Sequence, residues 1–133
     1  MSVLVHAHRR RRIPSSPVFR MEPQSSGTHG FFPETQDLYL GRAHVGFYRA
    51  KRKSDSLVEI EWFAIRGDVR GRGIGRKIIE RILSDFKAQG FKRVQLDSAS
   101  DAVGFWKKMG FVNLPGSTIS PGPQRIVELV RDL

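Results

Sequence analysis

The sequence predicts an α/β (α+β) fold, a mixed sheet with two main helices, and three observations predict it. A β-rich run occupies residues 57 to 65; a glycine-rich turn follows it and opens into an amphipathic helical stripe; a second strand and a second helical stripe come directly after. This β-α-β-α order places a parallel strand pair across the first helix, with hairpins at both ends of the chain.

Taken in order, residues 1 to 35 hold Arg9, Arg10, Arg11 and Arg12 together with Pro14, Pro17, Pro23, Pro33 and many Ser and Gly. That mixture favours extended or irregular backbone over helix, so the segment reads as a basic arm and residues 36 to 133 as the folded domain. Leu38 and Leu40, then Val45, Phe47 and Tyr48, alternate as half-buried strands do, with Gly41 between them as a hairpin turn. After a polar tract at 51 to 56 comes the strand at 57 to 65, rich in Val, Ile, Trp and Phe. Ile74, Ile78, Ile82 and Phe86, flanked by Ile79 and Leu83, form a helical stripe ending at Gly90. Val94 and Leu96 supply a strand, and Ala102, Phe105, Trp106 and Met109 a second helix that stops at Gly110. Residues 111 to 112 and 126 to 130 read as closing strands around a loop with Pro115, Gly116, Pro121, Gly122 and Pro123.

Composition narrows the function. A chain of 133 residues is one domain's worth, and no apolar run approaches the roughly 20 residues a membrane span requires. Cysteine is absent, which removes disulfides, thiolate ligands and a cysteine nucleophile. The four histidines, His6, His8, His29 and His44, lack zinc-site spacing, so the chemistry is expected to be metal-free. No apolar h-region follows the arginines, and two prolines spoil a transit helix, so the expected location is cytoplasmic. The net charge of +10 favours phosphate-bearing ligands or an acidic partner, against the alternative of a merely solubilising surface.

The turn Arg70-Gly71-Arg72-Gly73-Ile74-Gly75-Arg76 is the sharpest motif. Where a strand opens through glycines into a helix, unpaired N–H groups and the helix dipole face outward, and the three arginines add full charge. A pyrophosphate suits that place. There is no Lys-Ser or Lys-Thr after the last glycine, as a P-loop needs, and no G-x-G-x-x-G spacing for a dinucleotide fold.

Together these features resemble the GNAT superfamily of N-acetyltransferases. Its coenzyme motif, Q/R-x-x-G-x-G/A, is met by Arg70, Gly73 and Gly75, and a second motif by Ala102-Val103-Gly104-Phe105-Trp106-Lys107-Lys108-Met109-Gly110-Phe111. The stretch Glu59-Ile60-Glu61-Trp62-Phe63-Ala64-Ile65 is most similar to the histone lysine acetyltransferase branch. The resemblance implies a mostly antiparallel sheet splayed between its fourth and fifth strands around acetyl-CoA. The pantetheine arm would be held by backbone groups of Phe63, Ala64 and Ile65, and the pyrophosphate by amides of residues 70 to 75. Two departures matter. Trp106 stands where many members have a Tyr that protonates the departing thiolate, which an indole does not do at physiological pH. And residues 1 to 35 do not show the two helices that usually wall the acceptor site, so that site is open or completed by a partner.

An amine must lose a proton before it attacks a thioester, so a base is required. By the same resemblance Glu59 falls on the catalytic glutamate; Glu61, two residues on, shares its strand face, and aromatic neighbours are expected to desolvate the base. The competing reading puts both on a solvated strand face. Trp106 is read as core beneath the coenzyme, with Phe105 and Met109. Lys107 and Lys108 are set toward the coenzyme's 3′-phosphate, against a simply solvated helix face. The acceptor expected is a protein lysine or N-terminal amine. A catalytically silent coenzyme-A-binding module, and a basic nucleic-acid-binding protein acting through Arg9 to Arg12, remain as alternatives, and a homodimer is left open.

Overall fold

Alternation of buried and less buried residues is plainest in Arg93–Ala99 and in the first half of Leu57–Ile65. The computed structural model describes residues 19–23, 35–69, 73–116 and 126–133. These form β1 (Phe19–Pro23), β2 (Gln36–Leu40), β3 (Ala43–Arg52), β4 (Leu57–Ile65), α1 (Ile74–Ala88), β5 (Arg93–Ala99), α2 (Val103–Lys108), β6 (Val112–Asn113) and β7 (Ile126–Asp132). Among the described residues the strands make one seven-stranded sheet in the order β1-β2-β3-β4-β5-β7-β6. Only β4 and β5 run parallel; every other neighbouring pair is antiparallel. The parallel pair flanks α1, as a right-handed β-α-β crossover requires an intervening helix. The mixed, mostly antiparallel sheet with two helices is therefore present as expected.

One strand lies where the sequence suggested only an arm. Phe19 and Met21 pack against the core while Arg20 and Glu22 face solvent, so β1 joins the sheet beside β2. Two apolar alternates between Pro17 and Pro23 are too short a signal to read from sequence. Arg9 to Arg12 lie outside the described residues, as do Arg70, Gly71 and Arg72 and most of the Pro-rich loop before β7.

The core is one cluster. Val58, Ile60, Phe63 and Ile65 of β4 meet Ile78, Ile79, Ile82, Leu83 and Phe86 of α1, with Val94 and Leu96 of β5, Trp106, Phe111 and Leu129 around them. Each such side chain contributes roughly 1.5–3 kcal/mol by leaving water. Aromatic edges lock the cluster: Tyr48 on Phe86 at 6.4 Å between ring centroids, and Phe86 on Phe91 at 6.1 Å. Gly46 of β3 is set by close approach, since a Cβ there would collide with the Ala64 carbonyl oxygen of β4 and lie 3.0 Å from its carbon.

Candidate functional site

The site begins where two strands part. β4 and β5 pair from Leu57 opposite Arg93 to Ile60 opposite Leu96, and the ladder then stops. β4 runs on to Ile65 still paired with β3, and β5 runs on to Ala99 still paired with β7. The facing edges of Phe63, Ala64 and Ile65 on one side and of Asp97 to Ala99 on the other thus lose their ladder to each other among the described residues. A slot edged by main-chain donors and acceptors results. A bulge accompanies it: Arg49 pairs with Trp62 and Ala50 with Ile60, leaving Glu61 as the extra residue. The buried phase consequently steps from Ile60 to Phe63, so that Glu61 and Trp62 both stay out of the core.

Near the same end of β4 lies the start of α1. Gly73 holds the N-cap position in the left-handed conformation, with φ 74°, and no side-chain hydrogen bond caps the helix start. The helix closes its first turn through Lys77 N–H donating to the Gly73 carbonyl at 3.2 Å, so the amides of Ile74, Gly75 and Arg76 have no acceptor within the helix. The first turn carries no acidic residue, and a Cβ on Gly73 would meet nothing within 4 Å. Three outward amides, the positive end of a 15-residue helix and Arg76 at its start form a place for an anion. Arg76 is exposed and pairs with Glu80 at 3.2 Å.

The candidate bases sit on β4 just before the slot. Glu59 is opposite Gln95, one rung before the last pair, and its side chain is 19% exposed. Its ion-pair partner is Lys53, at 3.7 Å. The β3–β4 hairpin folds Lys53 back over β4, with Lys53 N–H donating to the Leu57 carbonyl at 2.9 Å. Glu61 faces Arg49 at 3.4 Å, and Trp62 beside it is 47% exposed.

Trp106 is buried against Phe63 of β4 at 5.8 Å, Phe111 at 5.3 Å and Phe105 at 5.0 Å, all edge to face. It ties α2 to the slot-forming strand from the core side. Lys107 and Lys108 are exposed on the last turn of α2. One placement near the site corrects the sequence reading, and one residue was absent from it. Phe105, expected in the core with Trp106 and Met109, is instead 37% exposed, and its ring lies 3.8 Å from the Cβ position of Gly75, which brings α2 against the first turn of α1. Arg66, buried at the end of β4, carries a double hydrogen bond to Asp68. The first depends on long-range helix packing; only the R-x-D spacing could have hinted at the second.

Among the described residues no group of three or more His, Cys, Asp and Glu could hold a metal, and no helix is long and apolar enough to cross a membrane. Comparison with known proteins agrees with the geometry. A family model described as the acetyltransferase (GNAT) family matches residues 6–111. A mycothiol acetyltransferase of Corynebacterium efficiens is 35% identical over 86 residues, which are 61% of this chain and 29% of that protein. The chain spans between 26% and 41% of the length of the curated relatives it matches. The crystal structure of Ard1 from Thermoplasma volcanium superimposes with a TM-score of 0.71 at 20% identity, covering 89% of this chain and 98% of that one. A GNAT acetyltransferase from Elizabethkingia anophelis with acetyl-CoA bound gives 0.67 at 12% identity, over 90% and 100%. The matched family model spans the slot, the uncapped helix and α2, and the chain belongs to the GNAT family of acetyltransferases.

Proposed function

We propose that the protein transfers the acetyl group of acetyl-CoA to a primary amine on a protein, a lysine side chain or an N-terminal amine, with Glu59 as general base. The observation that carries this reading is the juxtaposition of the slot beyond Ile60 with the uncapped first turn of α1. The residues fit the coenzyme: an extended, amide-bearing arm suits the edge of Phe63, Ala64 and Ile65 that has lost its ladder to β5, and a pyrophosphate suits the amides of Ile74, Gly75 and Arg76. Gly73 supplies the left-handed conformation, with φ 74°, from which that turn starts. Arg70, Gly71 and Arg72, assigned to the same phosphates, lie outside the described residues.

When bound, the coenzyme supplies an acetyl thioester. Glu59 takes the proton from the acceptor's ammonium, which frees the nitrogen lone pair to bond the acetyl carbon as the carbon–sulfur bond breaks, and the departing thiolate takes its proton from solvent; Lys53 pairs with the Glu59 carboxylate at 3.7 Å. A main-chain N–H of Phe63 or Ala64 faces the charge that develops on the carbonyl oxygen. Glu61, paired with Arg49, is the weaker candidate for base. Trp106 and its aromatic neighbours exclude water from the core side of the slot. Trp62, standing out beside Glu61, leaves the acceptor side open to something large, which favours a protein over a small amine. The branch similarity in residues 59 to 65 supports the same acceptor class. The setting proposed is cytoplasmic.

The test is label transfer. Incubated with radiolabelled acetyl-CoA, the protein is expected to acetylate peptides that carry a lysine or a free N-terminus. Binding of acetyl-CoA without transfer to any amine would instead establish a silent coenzyme-binding module.

A further inference from the structure

We propose that Arg66 and Asp68 form a clasp that holds the first turn of α1 at a fixed place relative to the slot, and so sets the affinity for the phosphate end of the coenzyme. The inference rests on the acetyl-CoA reading above. Arg66 is the first residue past β4, and only 2% of it is exposed. A guanidinium taken out of water is costly unless its donors are paired. Here Nε donates to Asp68 Oδ1 at 2.9 Å, Nη2 to Asp68 Oδ2, and Nη1 to the His44 carbonyl of β3 at 3.2 Å. The main chain is pinned too. Arg66 N–H donates to the Val45 carbonyl at 2.7 Å, and Val69 N–H returns to the Arg66 carbonyl at 3.2 Å, closing a 3-10 turn over Gly67–Val69.

The consequence is mechanical. Val69 is fully buried, and three residues separate it from Gly73. A chain spans at most about 3.6 Å per residue, so fixing Val69 keeps Gly73 within about 14 Å of it and limits how far the first turn of α1 can shift. Arm and pyrophosphate belong to one covalent ligand, so slot and helix turn must keep one separation. An apolar side chain could fill the place of Arg66 without the desolvation penalty of a buried cation. What it could not supply is the forked link from β3 to the Asp68 carboxylate, whose side chain is otherwise 45% exposed. Arg66 and Asp68 are positioning residues: they act through the turn, not on the coenzyme.

The test compares acetyl-CoA with acetyl-pantetheine, which keeps the thioester arm and lacks the pyrophosphate. In Asp68→Ala, Kd for acetyl-CoA is expected to rise about tenfold as preorganisation is lost, while that for acetyl-pantetheine, measured by displacement, stays within about twofold. Asp68→Glu is expected to restore part of the loss. Should Asp68→Ala fail to fold by circular dichroism, Asp68→Asn, which keeps one acceptor oxygen, takes its place with the same expectation. Unchanged acetyl-CoA affinity, or equal weakening of both ligands, overturns the clasp. A wild-type protein that binds no acetyl-CoA overturns the coenzyme reading itself, a result distinguishable from either.

Discussion

Glu59 stands one rung before the end of the β4–β5 ladder, with Lys53 as its cation. Replacing it by Gln keeps the shape and removes the base, so Glu59→Gln is expected to lower kcat by roughly 100-fold or more while Kd for acetyl-CoA stays unchanged. Steady-state rates beside calorimetry separate the two quantities, and a variant with full activity at neutral pH would remove Glu59 from the mechanism. Tyr48 offers a prediction on stability. Its phenol is pushed up to about 12, first by burial and then by the Asp85 carboxylate, against 10.0 ordinarily. The folded protein therefore holds that proton more tightly than the unfolded chain, and the unfolded chain ionises first. The stability this group contributes is fully present below pH 10 and is lost as pH rises through about 12. Urea titrations across that window should show the decline in the wild type and a shallower one in Tyr48→Phe. At this scale Glu59 was reached through the family resemblance of residues 59 to 65, and its role stays a proposal. Its lysine neighbour was not legible, because a hairpin turn delivers Lys53 back over the strand.

At the scale of elements, β4 and α1 were legible because each carries its own local signal, a run rich in β-branched and aromatic residues over Leu57–Ile65 and helical periodicity over Ile74–Ala88. The bulge at Glu61 and the parting of β4 from β5 were expected only by family resemblance or not at all, because both arise from pairing between strands distant in sequence. The second helix came out shorter than its apolar stripe, with a 3-10 turn over Ser100–Ala102 taking Ala102 and Met109 falling at the C-cap. β1 went unread because five residues carry too little pattern beside prolines. Gly46 gives the element-scale prediction. Its Cβ position is occupied by the Ala64 carbonyl, so Gly46→Ala must push β3 from β4 on the slot-forming strand. A loss of about 1–3 kcal/mol in urea denaturation is expected, together with weaker acetyl-CoA binding. A variant as stable as wild type would show that the strands can separate freely.

For the whole molecule, the net charge is +10, and the ligand proposed for the site is a polyanionic coenzyme. Acetyl-CoA affinity is therefore expected to fall as salt rises, with Arg76→Glu weakening binding at low salt more than at high salt. The central claim is that the slot and the uncapped turn of α1 together bind acetyl-CoA. Calorimetric titration of acetyl-CoA into the folded chain, repeated with Arg76→Glu, tests it most directly. One site of micromolar affinity, weakened by the charge reversal, is the expected result; no binding by a protein shown to be folded would contradict it.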